Sequence, residues 1–181
     1  VPRRLRNIKA GPDFKIEGTA WIEAIAPGPG SGPDRVPYLP MDHIARRVPD
    51  HQIQLRYLSA IAEKAKKLDA YLQHEIVAPE DAYVIAVNGA EVSTSGDFDP
   101  PRVIRMLFGL GWPIAHIGVT TGSIERYSWQ HRRAIKKVNN TEVATTGFLD
   151  DALSGVSAVL FSLANPWGGP HRPGIEFVVA H

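Results

Sequence analysis

Cysteine is absent from the chain, which excludes disulfides and thiolate metal sites and agrees with a reducing cytoplasm. Charge of either sign is barely in excess. Lys and Arg number 20 against 19 Asp and Glu, leaving a formal net charge of +1. No global field therefore attracts nucleic acid, and a surface of that kind must come from local clustering of basic residues. Long apolar runs are also missing: none approaches the roughly 18 residues of a membrane-spanning helix. No signal-peptide pattern opens the chain, so a cytoplasmic protein without a membrane partner is expected. The seven histidines show neither HxxxH nor HExxH spacing, which argues against a zinc site. "GVTTG" and "GSIER" lack the features of a P-loop or a nucleophile elbow. There is no internal repeat, heptad series or low-complexity tail.

What is present is an ordinary globular composition, 44% hydrophobic and 22% charged over 181 residues, enough for one domain with a sizeable core. The chain opens at Val1 with a basic cluster (Arg3, Arg4, Arg6, Lys9), either an edge strand or an extended arm; an N-terminal element could precede it. Residues 13–16 and 20–26 read as the two strands of a hairpin. "APGPGSGPDRVPYLP" is a Pro/Gly-rich loop. From Ile53 to Gln73 the pattern predicts one long helix, with Leu58, Ile61, Ala65, Leu68 and Leu72 on a single stripe and Asp50 as N-cap. "AYVIAVNG" (82–89) suits a central strand buried on both faces. "DPPRVIRMLFG" (99–109) reads as a shorter helix capped by Asp99. "GWPIAHIGVTTGSIERYSW" is part loop and part strand, and 155–164 and 174–181 are further strands. The order predicts a single α/β domain with a mixed sheet.

The stretch "GPDFKIEGTAWIEAIAPGPG" holds the most informative pair of residues. A hard divalent cation needs oxygen ligands from separate segments brought close together. With a turn centred on Gly18, Asp13 and Glu23 each lie five residues from the turn and fall opposite each other. Asp13 can instead be a turn acid after Gly11-Pro12, and Glu23 the exposed residue of a strand with one wet face. Asp34, in a second "GPD", precedes a proline-rich run without a clean strand, which favours Asp13.

"GPD" followed ten residues later by an acid within an apolar strand resembles the PD-(D/E)XK, or restriction-endonuclease-like, nuclease superfamily. The segments "GPDF", "WIEAIAPGPGSGPDRVP", "LRYLSAIAEKAKKLDAYL", "YVIAVNG" and "FLDDALSGVSAVLFS" resemble a group of uncharacterised bacterial proteins of that type. The resemblance implies a restriction-endonuclease-like mixed β-sheet flanked by helices, spanning 1–181 as one domain. It further implies magnesium (or manganese) held by Asp13, Glu23 and the carbonyl of Ala24, with hydrolysis of phosphodiester bonds in nucleic acid, DNA before RNA. Because many nucleases of this superfamily are dimers, a homodimer is compatible with it.

One departure matters. The superfamily's lysine stands two residues after the second acid, and here that position is Ile25. At about 100° per residue, Arg56, Ala60, Lys64, Lys67 and Tyr71 form a second helical stripe beside the apolar one. Lys67 and Tyr71 resemble the QxxxY helix motif of RecB-type members, with lysine in place of glutamine. Lys64 is the first candidate for a migrated catalytic lysine and Lys67 the second, a solvated basic face being the plain alternative. "RYSWQHRRAIKKVNN" is the densest basic stretch, so Arg126, Arg132, Arg133, Lys136 and Lys137, with Tyr71, are the candidate nucleic-acid contacts. The alternative function is the same fold without cleavage, acting in nucleic-acid or protein binding.

Overall fold

The structure is a computed structural model that describes residues 11–16, 18, 20–40, 42, 44, 46–92, 100–164 and the backbone of 175–179. The basic cluster at Arg3–Lys9 and the cap expected at Asp99 lie outside these residues. The elements are β1 (Phe14–Ile16), β2 (Ala20–Ile25), α1 (Asp50–Ala65), α2 (Lys67–Gln73), β3 (Ala82–Asn88), α3 (Arg102–Leu107), β4 (Leu110–Ile117), β5 (Ile124–His131), β6 (Ala134–Lys136), β7 (Glu142–Ala144), β8 (Ala158–Ser162) and β9 (Ile175–Val179). This is a mixed α/β architecture. Among the described residues no helix is long and apolar enough to cross a membrane.

The main sheet has five strands in the order β1-β2-β3-β8-β9. β1 and β2 form the expected antiparallel hairpin, with Phe14 opposite Ile22 and Ile16 opposite Ala20. Gly18 supplies the left-handed backbone of its turn at φ 89°. β2 runs parallel to β3, and β3 parallel to β8, so the 50–73 helical segment is the crossover that a parallel pair requires. The remaining strands make two separate hairpins, β4–β5 and β6–β7.

The alternation of strand side chains decides where the core lies. Trp21 and Glu23 of β2, Tyr83, Ile85 and Val87 of β3, and Val159 and Phe161 of β8 are buried, and they share one face with α1 and α3. The intervening Ile22, Ala24, Val84, Ala86 and Leu160 are half-buried. β3, expected to be buried on both faces, is thus fully buried on one and half-buried on the other. An unbroken apolar run does not reveal that its small residues, Ala82 and Ala86, lie on the less covered side.

The helix expected over 53–73 is two helices, interrupted at Lys66, which keeps helical angles (φ −59°, ψ −21°). Asp50 is not the N-cap: Pro49 holds that position, and Asp50 is the first helical residue. Its carboxylate instead accepts from Gln54 at 2.6 Å, Arg102 Nε at 2.6 Å and Arg105 at 3.0 Å. Arg102 and Arg105 sit three apart on the buried side of α3. Burial alone would raise the Asp50 carboxyl, but the charges and hydrogen bonds of Arg105 and Arg102 outweigh it and hold the group below its usual 3.8.

Breaking a buried ion pair from one side strands the other charge. Asp50→Ala is therefore expected to lower unfolding free energy by about 3 kcal/mol in urea denaturation. Because the native carboxyl is depressed, this contribution is present above pH 3.8 and is lost as pH falls through the lowered native value. The gap between wild type and Asp50→Ala should accordingly narrow in acid.

Candidate active site

Glu23 is 2% exposed in the middle of β2, an expensive place for a carboxylate unless cations and donors surround it. The partners come from one helical stripe. Lys64, in the last turn of α1, donates to Oε1 at 2.7 Å. Lys67, which opens α2, donates to the same oxygen at 2.6 Å. Tyr71, one turn further along, donates to Oε2 at 3.3 Å. The two lysines differ in freedom: the Lys64 side chain is 13% exposed and that of Lys67 is 42% exposed. Lys64 is pinned further by Tyr83, whose hydroxyl donates to the Lys64 carbonyl at 2.9 Å.

Asp13 stands one residue before the first β1–β2 pair. Continuing the register from Phe14–Ile22 by one step sets it opposite Glu23, on the same face of the sheet. Its Oδ2 accepts the Ala24 backbone N–H at 2.8 Å. Asp13 and Ala24 both line a cleft of about 540 Å³ at the ends of the parallel strands, with Ile25, Val87, Asn88 and Phe161. In open α/β sheets, the carboxyl ends of parallel strands are where ligands usually bind.

The electrostatics show that both acids act on the same phenols. Burial raises Tyr71 above its usual 10.0, and Glu23 and Asp13 add to that while Lys67 opposes it. Burial likewise pushes Tyr83 far up, with Glu23, Tyr71 and Asp13 contributing. Both hydroxyls thus remain protonated donors at any physiological pH. The hydrogen bond to Glu23 raises Lys67 above 10.5 in spite of partial burial. The cluster holds two carboxylates and two ammonium groups, so its formal charges cancel.

The acid pair, both candidate lysines and Tyr71 are therefore brought into one neighbourhood. Ile25, where the resembled family carries lysine, shares the Glu23 face by strand alternation and packs against the core. The candidate nucleic-acid residues lie on the two hairpins outside the main sheet. Arg126 is exposed on β5 opposite His116, and Arg133 and Lys136 are exposed around β6. Lys137 is half-buried, and Lys136 lies 3.6 Å from Glu142. Arg132 turns inward and donates to Gln54, and its burial depresses its pKa, with repulsion from Arg105 adding to the effect. That geometry leaves Arg132 less available to a phosphate than Arg126, Arg133 or Lys136.

Sequence reasoning missed Tyr83 and the Asp50 cluster. Tyr83 carried a usable signal, since a phenol in an otherwise aliphatic buried strand needs a hydrogen-bond partner. Comparison with protein-family models, with curated proteins and with solved structures finds no match for this chain.

The two lysines should separate in their effect on stability. Lys64→Ala removes the more buried ammonium and is expected to cost about 2 kcal/mol in urea denaturation, whereas Lys67→Ala, half open to water, costs under about 1 kcal/mol. The raised Lys67 pKa gives a contribution that is complete below pH 10.5 and fades as pH rises through the native value. Wild type should thus lose stability in alkali more steeply than Lys67→Met, as followed by thermal melts between neutral pH and about pH 11.

Proposed function

We propose that the chain is a metal-dependent, restriction-endonuclease-like protein that hydrolyses phosphodiester bonds of nucleic acid, DNA before RNA. The observation that supports this best is the convergence of Lys64 and Lys67 on Glu23 Oε1, at 2.7 and 2.6 Å, on the strand that pairs with the Asp13 end of β1. A single acid with one lysine is a common structural pair. A buried mid-strand acid that receives two ammoniums and a phenol from the end of α1 and the first turns of α2, opposite a second acid, is a more demanding arrangement.

The donor set suits a hard cation. Asp13 uses Oδ2 on Ala24, which leaves Oδ1 for a ligand. Glu23 puts both ammoniums on Oε1 and only the long Tyr71 contact on Oε2. Those two oxygens and the Ala24 carbonyl are the groups that would hold magnesium or manganese. Bound there, such an ion polarises a phosphoryl oxygen and lowers the pKa of a coordinated water.

The chain's own residues would do the rest. Lys64, fixed by Glu23 below it and Tyr83 behind it, keeps N–H groups to orient the attacking water and balance negative charge on the phosphoryl oxygens. Lys67, more exposed, reaches a substrate phosphate more readily. Tyr71 keeps Glu23 oriented and, as a protonated phenol, adds no charge. Arg126, Arg133, Lys136 and Lys137 would neutralise the backbone beyond the scissile bond.

A second reading keeps the fold and the binding surface without cleavage. It is favoured by the same Oε1 geometry together with Ile25, because two ammoniums already neutralise Glu23. A nicking assay on supercoiled and linear DNA with magnesium or manganese separates the two. Wild type should cleave, with Lys64→Ala, Glu23→Gln and Asp13→Asn each slower by about 100-fold or more while circular dichroism stays native. Salt-dependent DNA binding with no turnover in either metal would favour the second reading.

A further inference from the structure

One face of the β4–β5 hairpin presents two aromatic rings to water. Its register places Trp129 opposite Pro113 and Tyr127 opposite Ala115 there, whereas Ser128 opposite Ile114 and Arg126 opposite His116 lie on the other face. Tyr127 is 69% exposed and Trp129 37%. Neither cross-strand neighbour is large enough to cover the ring beside it. Among the described residues, neither ring packs on another aromatic ring. Two residues along a strand span about 7 Å, so Tyr127 and Trp129 form a short open platform.

Charge narrows what such a platform takes. Between Leu110 and Ala144 there are five Lys and Arg against two Glu, a local excess of three in a chain whose net charge is +1. Arg133 and Lys136 follow Trp129 by four and seven residues and are exposed. Arg126, also exposed, stands on the opposite face of the ribbon. Open aromatic rings beside basic side chains suit a polyanion that carries flat π-faces, the cations meeting phosphates and the rings meeting bases. A duplex offers only the edges of its bases, because their faces are closed within the stack.

We infer that Tyr127 and Trp129 are a stacking platform for the unpaired bases of a nucleic-acid strand, so that the substrate is single-stranded or carries an unpaired segment. This rests on the reading that the chain acts on nucleic acid, and it adds which form is held. Each ring takes one base, while Arg133 and Lys136 neutralise phosphates further along the strand. Every base has a π-face, so the platform selects for unpaired bases and tolerates any sequence.

Fluorescence anisotropy in EDTA, which blocks metal-dependent cleavage, reads binding alone. The probes are labelled DNA of about 15 nucleotides: a thymidine strand, its duplex with an adenosine strand, and an abasic strand with the same number of phosphates. Wild type should bind the thymidine strand at least about ten-fold more tightly than the other two. Tyr127→Ala and Trp129→Ala should each weaken that strand by about ten-fold and leave the abasic strand unchanged. Arg133→Ala should instead weaken both single strands alike and reduce their salt dependence. Both rings are exposed, so thermal melts of their variants should match wild type. Equal affinity of wild type for thymidine and abasic strands, or a preference for duplex, overturns the proposal even where DNA is nicked. A thymidine preference lost in Tyr127→Ala upholds it even where neither metal supports nicking. Failure to bind any of the three probes overturns it together with the nucleic-acid reading. A dimer in sedimentation velocity that Tyr127→Ala dissociates overturns it too and assigns the platform to a second copy.

Discussion

The constraint on which the rest of the structure depends is the burial of the Glu23 carboxylate. A carboxylate 2% exposed in the middle of a strand is tolerated only if cationic donors meet it with good geometry. Those donors come from a helical stripe, so the crossover segment must lie at one height and one rotation over the sheet. A rotation of one residue, about 100°, would swing Lys64 and Lys67 away and leave the acid alone. The hydrophobic contacts of Leu58, Ile61 and Leu68 permit several sliding arrangements of a helix on a sheet. The ionic cluster selects among them, which is the role best argued for a buried ion pair.

The other end of α1 carries a matching device. Asp50 accepts from Arg102 and Arg105 of α3, and Arg105 follows Arg102 by one turn. An acid in the first turn and a lysine in the last also complement the helix dipole. The helix is thus fixed at its start to α3 and at its end to β2, with apolar packing between. Gln54 extends the first cluster to Arg132 and so ties the base of the β4–β5 ribbon to the same helix. His51 and Asp34 tie the β6–β7 hairpin through the Lys136 carbonyl at 2.6 Å and the Val138 N–H at 2.9 Å. The hairpins therefore have rooted bases, while the body of the ribbon stands in water.

What could be read in the sequence followed periodicity and local chemistry. The β1–β2 hairpin, its turn at Gly18, the apolar helical stripe and the second stripe of Lys64, Lys67 and Tyr71 are local patterns, and the structure shows them all. What could not be read were pairings distant in sequence. Asp50 looks like an N-cap because Asp before an apolar helix usually is one; its arginines lie 52 and 55 residues away. The interruption at Lys66 left no mark either, since lysine is a good helix former and the backbone there stays helical. The region 111–129 was ambiguous because its strands are apolar on both faces, which hides the alternation that normally marks a strand. Its exposure is therefore more informative than its secondary structure.

The isoleucine at position 25 gains a physical account from these contacts. Cross-strand pairing aligns Ile25 with Val87, and Val87 with Phe161, so this row of the sheet is apolar from β2 to β8. Ile25 packs against the core in that row. A lysine there would have to stretch its stem past Phe161 and Val87 to bring its charge to water or to Glu23. The helix lacks that difficulty: Lys64 and Lys67 approach Glu23 from the side where their stems lie along α1 and α2. With the charges carried on α1 and α2, position 25 serves the core. This arrangement also gives the acid a second cation, Lys67, whose side chain is more open to water than that of Lys64, so the carboxylate is held by one buried ammonium and one at the surface.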